Sequence, residues 1–148
     1  MTNTPVKLLQ LRFWTDWIAY LQAHKSPIRP QTPRPQHWLN ITIGRAGFVL
    51  VATINSREGR IGAEVYIGHT DSKTYFAAIE EKRTAIEDRL GFALEWQELP
   101  NRQASRIAIF KSGLNLEDES EWSGDFGWLM DTVQKLDNVL RPIIKSLP

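Results

Sequence analysis

No cysteine occurs anywhere in the sequence, which removes disulfide frameworks and thiolate metal sites and leaves the chain to hold itself together by packing. No apolar run approaches the roughly 20 residues that span a bilayer. The opening Met1-Thr2-Asn3-Thr4-Pro5-Val6-Lys7 is not followed by an uninterrupted apolar core with a small-residue cleavage site, so nothing reads as an export signal. The expectation is a soluble, unexported, cytoplasmic protein with no membrane partner. Histidine is scarce as well. His24, His37 and His69 stand at no ligand spacing to one another, so a histidine metal site would need the fold to gather them. No internal repeat occurs, and the only biased tract is rich in proline.

Net charge is nearly absent, at +1 for 148 residues, yet it is unevenly spread. Residues 1–70 carry eight Lys or Arg against three acids, and residues 71–148 carry ten against fourteen. A basic first half is a weak pointer to an anionic partner; a solvated surface with chance asymmetry explains it equally. A chain of this length suits one domain and buries about two thirds of its extended surface, so 1–148 is read as a single domain.

What the chain does contain is three β-branched runs between Trp38 and Gly68, broken at Gly44-Arg45-Ala46-Gly47 and at Asn55-Ser56-Arg57-Glu58-Gly59. Such runs joined by short turns predict an antiparallel three-stranded meander. Leu39, Ile41 and Ile43 share one face, opposite Asn40 and Thr42, because side chains alternate along a strand. In the second run Phe48, Leu50, Ala52 and Ile54 oppose Val49, Val51 and Thr53, so both faces are apolar. In the third, Ile61, Ala63, Val65 and Ile67 point inward while Arg60, Glu64 and Tyr66 point outward.

Ahead of the meander, Leu9, Phe13, Trp17 and Leu21, with Trp14 and Ile18, give the stripe of an amphipathic helix over about Val6 to His24,. Its aromatics could stack on bases, but at this spacing they belong in a core. The four prolines between Lys25 and Gln36 predict an extended surface connection,. After the meander, Asp71 or Ser72 caps one long helix that stops at Gly91,. Two strands follow, Phe92–Leu99 and Ala104–Lys111. The acids Glu117, Asp118, Glu119 and Glu121 then lead into a final helix from about Asp125. They lack the ligand spacing of a calcium loop and suit the amide end of a helix. The predicted fold class is α+β: a two-layer domain with a five-stranded antiparallel sheet and helices packed on it, in the order αβββαββα. How the last two strands join the meander is not fixed by pattern.

Chemical motifs are mostly missing. Gly44-Arg45-Ala46-Gly47 lacks the lysine and following helix of a phosphate loop,. No nucleophile elbow occurs, and no motif implies a cofactor. The element order also matches the core of PD-(D/E)xK nucleases, but the second strand carries no acid. The third offers Glu64-Val65-Tyr66 without the expected lysine, and Glu95-Trp96-Gln97 falls on the fourth strand. A metal-dependent or degenerate nuclease is therefore the least favoured alternative.

Four stretches carry a resemblance to a known family: Pro35-Gln36-His37-Trp38-Leu39, Ile43 to Phe48, Ala52 to Ile67 and Leu94 to Ile107. Together they resemble DUF4268, a family of bacterial and archaeal domains of unknown function, over nearly the whole chain. The resemblance implies no established activity. In many members the domain follows a nuclease-like one, which implies a setting in DNA processing or defence. The matched stretches hold Arg45, Arg57, Arg60, Arg102 and Arg106. Planar guanidinium groups on a turn and an outer sheet face suit phosphate or carboxylate. The leading expectation is a non-catalytic accessory module binding DNA or RNA through those five arginines. The alternatives are a fold-supporting network in which Arg60 and Arg106 pair with Glu64 and Glu95, or a protein-interaction domain that docks a nuclease-like partner or a second copy.

Overall fold

The computed structural model describes residues 5–148. Helix α1 (Val6–Ala23) leads into strands β1 (Trp38–Thr42), β2 (Phe48–Asn55) and β3 (Arg60–Ile67). Helices α2 (Ser72–Glu80) and α3 (Arg83–Leu90) follow, then β4 (Glu95–Gln97) and β5 (Ser105–Ser112). A 3-10 turn at Glu119–Glu121 opens α4 (Trp122–Lys145). The five strands form one sheet in the order β1-β2-β3-β5-β4, and every neighbouring pair is antiparallel. The α+β architecture and the helix and strand order expected from the sequence hold, except that the second helix is divided. The open question of strand order is answered by β5, which pairs with β3 and leaves β4 at the edge.

Alternation along the strands builds the core. Leu39, Ile41, Leu50, Ala52, Ile54, Ile61, Ala63, Val65, Ile67 and Ile107 all fall on one face and belong to a single buried cluster. Over them lie α4, which packs on β2 and β3, and α2, which packs on β3 and β5. Phe13, Trp14 and Trp17 of α1 are fully buried. Phe13 packs edge-on against Trp122 and Phe126, with ring centroids 5.2 and 4.9 Å away. These aromatics are core, and no stacking platform is left on α1.

Two elements depart from expectation. The helix expected to run unbroken from Ser72 to Gly91 divides at Glu81 and Lys82. Its two halves serve different partners, since α2 packs on the sheet while α3 packs on α4, and one straight axis cannot reach both. Strand β4 is three residues long, where eight were expected. Its approach is pinned to α3 instead of to β5. The Glu87 carboxylate accepts the Leu94 amide at 2.6 Å and the Trp96 indole N–H at 3.2 Å, and the Leu94 bond is the main reason the Glu87 pKa is lowered.

Both sheet edges are blunted, as natural sheets require. At one edge the proline-rich connection lies along β1, where Pro30 bridges Ile41 and the Gln31 amide donates to Asn40 O at 2.9 Å. At the other edge β4 is too short to template a further strand. The two faces of β2 should respond differently to truncation. Leu50→Ala, beneath the helices, is expected to cost about 2–5 kcal/mol in urea denaturation, whereas Val49→Ala on the other face should cost about 1 kcal/mol or less. Equal losses would mean that both faces are covered.

Candidate functional site on the open sheet face

The face turned away from the helices carries the opposite parity. The strand register sets out three rows: Thr42, Val49, Tyr66, Arg106 and Gln97; Asn40, Val51, Glu64, Ala108 and Glu95; and Trp38, Thr53, Gly62 and Phe110. A trough of about 330 Å³ crosses these rows, with Val49 and Val51 in its floor and His37, Trp38, Asn40, Thr53, Glu64, Tyr66 and Arg106 around it. A second depression of about 150 Å³ shares His37, Thr53, Glu64 and Arg106, and continues to Asn55, Arg60 and Phe110.

Gly62 shapes this second depression. A Cβ there would stand 2.6 Å from Phe110 Cδ1 and 2.6 Å from Thr53 Oγ1, so the missing side chain lets the Phe110 ring lie down across β3. On that ring rests the Arg60 guanidinium, 3.9 Å from the centroid, a cation–π contact. The Arg60 Nε is also 3.2 Å from Glu58 Oε2. At the rim, His37 meets Trp38 edge-on at 4.7 Å, and Trp38 keeps 36% of its surface exposed.

Between the two depressions sits a charged pair. Arg106 Nε is 2.7 Å from Glu64 Oε2, and Glu64 is only 6% exposed. The Nε–H nevertheless has no aligned acceptor, so the contact is charge against charge more than a directed hydrogen bond. Arg106 Nη1 reaches Gln97 Oε1 at 3.5 Å, the outer limit of such a bond. Burial pushes the Glu64 pKa up, and the neighbouring Arg106 only partly offsets it. A buried acid with a specific partner in a cleft marks a candidate functional position, as it also marks structural ion pairs.

The five arginines expected to form one patch are not brought together. Arg45 donates to the carbonyls of Ile144 at 2.9 Å, Leu147 at 2.7 Å and Pro148 at 3.0 Å, and its guanidinium lies 5.0 Å from the Tyr75 ring centroid. Its donors are committed to the end of α4. Arg57 is exposed in the β2–β3 turn, and Arg102 is exposed in the β4–β5 turn. Those turns lie at opposite ends of the eight-residue β3 and β5 ladder, about 25 Å apart. Only Arg60 and Arg106 share the open face. Of the cross-strand network foreseen, Arg106 with Glu64 forms, while Arg60 turns to Glu58.

Several site residues escaped notice as a group. Trp38, Thr53 and Phe110 lie on the same row, and the parity that places Asn40 outward also places Trp38 outward. Among the described residues no three His, Asp or Glu side chains converge as a metal site. Glu64 and Glu95 share a row but flank Ala108, about 10 Å apart at two strand spacings, so the acids of the nuclease alternative do not meet.

The family model described as Domain of unknown function (DUF4268) matches residues 9–144. No curated protein and no solved structure matches the chain.

The charged pair fixes a pH dependence. Because the folded-state pKa of Glu64 lies above its ordinary 4.5, its contribution to stability is complete below that value and is lost as pH rises through the raised one. Glu64→Gln cannot titrate, so its stability relative to the parent should climb as pH rises above the ordinary 4.5 and through the raised value, read as paired denaturation midpoints. Arg106→Ala strands the buried acid and should cost about 2 kcal/mol at pH 7, less than a fully buried pair because the arginine is partly exposed. A flat difference across that pH range would contradict the assignment.

Proposed function

The chain belongs to the DUF4268 family, and on that premise we propose that the open face of its sheet is a non-catalytic binding surface for single-stranded nucleic acid. The observation that carries the reading is the trough itself, where Trp38, Tyr66 and Arg106 stand together on the face turned away from the helices, with Arg60 beside them. Single strands are held by stacking bases on aromatic side chains, with cations beside the backbone. Trp38 and Tyr66 supply ring surface beside Arg106, and Phe110, its ring lying on β3, supports the Arg60 guanidinium next to them. Arg57 in the adjoining turn adds a cation without a carboxylate partner among the described residues. Arg102 extends the surface only for a strand long enough to reach the far end of the sheet, and Arg45 stays with α4.

Duplex DNA fits less well. A duplex binder makes many phosphate contacts, whereas here two of the three arginines near the trough already face a carboxylate. The blunted edges also disfavour strand addition by a second copy.

Fluorescence anisotropy with labelled 12-nucleotide single strands tests the reading. Trp38→Ala and Tyr66→Ala should each weaken binding by about 5- to 150-fold, the worth of one stacked base. With about three cations engaged, log K should fall with log salt at a slope no steeper than about −2. Duplex preferred over single strand, or no binding to either at about 100 μM protein and low salt, would overturn the proposal. A concentration-dependent dimer that loses Trp38 exposure would give the face to a second copy.

A further inference from the structure

Resting on the single-strand reading, we propose that the trough around Glu64 and Arg106 is a guanine site, taking one guanine base of a strand or of a free nucleotide. At about 330 Å³ the trough stands at the small end of ligand pockets, the scale of one nucleoside and no larger. Its floor is apolar, Val49 and Val51, and Trp38 and Tyr66 stand beside it, a setting for a flat heterocycle.

The polar groups decide which heterocycle. Glu64 and Arg106 place a carboxylate and a guanidinium 2.7 Å apart, so acceptors and donors lie side by side at the one charged point of the trough, with the neutral polar groups of Asn40 and Thr53 and the His37 ring further round it. The edge that complements them has adjacent donors followed by an acceptor. Guanine has N1–H and the 2-amino group next to O6, so the carboxylate takes both donors while the guanidinium meets O6. Adenine and cytosine offer a single amino group beside a ring nitrogen. Uracil and thymine offer one N–H between two carbonyls. Each would leave part of a charged pair unmatched, and an unmatched buried charged partner is what produces discrimination.

The pair's position argues in the same direction. A buried ion pair contributes little to stability and is often matched or exceeded by apolar residues of the same volume. Val51, in the same row as Glu64, shows that this face accepts such residues. No protein hydrogen bond engages Glu64 Oε1 or Arg106 Nη2 among those the described residues make. Within the fold, then, the pair is incompletely satisfied, and a base edge would complete it.

The test uses the intact chain with labelled strands of twelve thymidines, in which one central position is changed to G, A, C or inosine. Free GMP, AMP, CMP and UMP are titrated alongside by calorimetry. The G strand should bind about ten- to a hundred-fold more tightly than the other natural bases, the discrimination of one bidentate pair. Inosine, which lacks the 2-amino donor, should lose most of that gain on the unaltered protein, so the test does not depend on a variant folding. Glu64→Gln should bring G down to the level of the other bases. Equal affinity for all strands discards the guanine site and leaves the single-strand reading standing. GMP bound in preference to the other nucleotides, with no strand bound, keeps the base site and discards the strand. Binding of neither discards both.

Discussion

Hydrogen bonding of β3 between β2 and β5 is the constraint on which the rest of this molecule depends. Side chains alternate along a strand, so a single register assigns every second residue of three adjacent strands to the helices and every other one to the open face. Ile61, Ala63, Val65 and Ile67 thereby enter the core, and Arg60, Gly62, Glu64 and Tyr66 join one surface. A slip of β3 by one residue would turn Arg60 and Glu64 beneath the helices and expose Ile61 and Ile67,. Formation of the core and formation of the trough are therefore one event.

Around that register the chain uses single polar side chains as fasteners. Arg45 ties the β1–β2 turn to Ile144 in the last turn of α4 and to Leu147 and Pro148 just beyond it. The Lys73 ammonium binds the carbonyls of Glu98, Leu99 and Ala104, and so holds the β4–β5 connection, in which Leu99 takes a left-handed conformation at φ 59°. Arg141 donates to Thr42 and Ile43 carbonyls while its Asp137 partner holds it in place. Each fastener satisfies backbone acceptors that a turn or helix end would otherwise leave to solvent. Cations engaged in this way are no longer free to attract a ligand, and because Arg45 is one of them, the count of basic residues in the first half of the chain overstates the charge available to an anionic partner.

The fold was largely legible because its signals are local. Periods of two and of about 3.6 residues mark the meander and the helices, and Gly44, Gly47, Gly59 and Gly91, all at positive φ, end elements where only glycine adopts the backbone without strain. The division of the second helix was not legible, since Ile79 and Ile86 are spaced as on a continuous stripe and the reason for the break lies in two distant partners. The shortened β4 escaped for a similar reason, because Glu87 on α3 holds Leu94 and Trp96. The arginines misled in a further way. Their side chains are long, and which acceptor each one finds depends on what lies nearby in space, as Arg45 and Arg60 show.

Parity could have found the trough where charge could not. Trp38, Asn40, Thr53, Glu64, Tyr66, Arg106 and Phe110 are dispersed over seventy-odd positions, yet each occupies the outward parity of its strand. What the sequence could not supply was the order of strands, which sets Arg106 beside Tyr66 and one step from Glu64. Had β4 paired with β3 instead, Glu95 or Gln97 would have stood there, and the buried acid would have faced another acid or an amide. The order β3-β5 thus decides that the acid at the centre of the open face has a cation within reach. An acid with such a cation stays able to ionise in a dry setting, and an ionised acid beside a guanidinium is a surface that distinguishes one hydrogen-bonding edge from another.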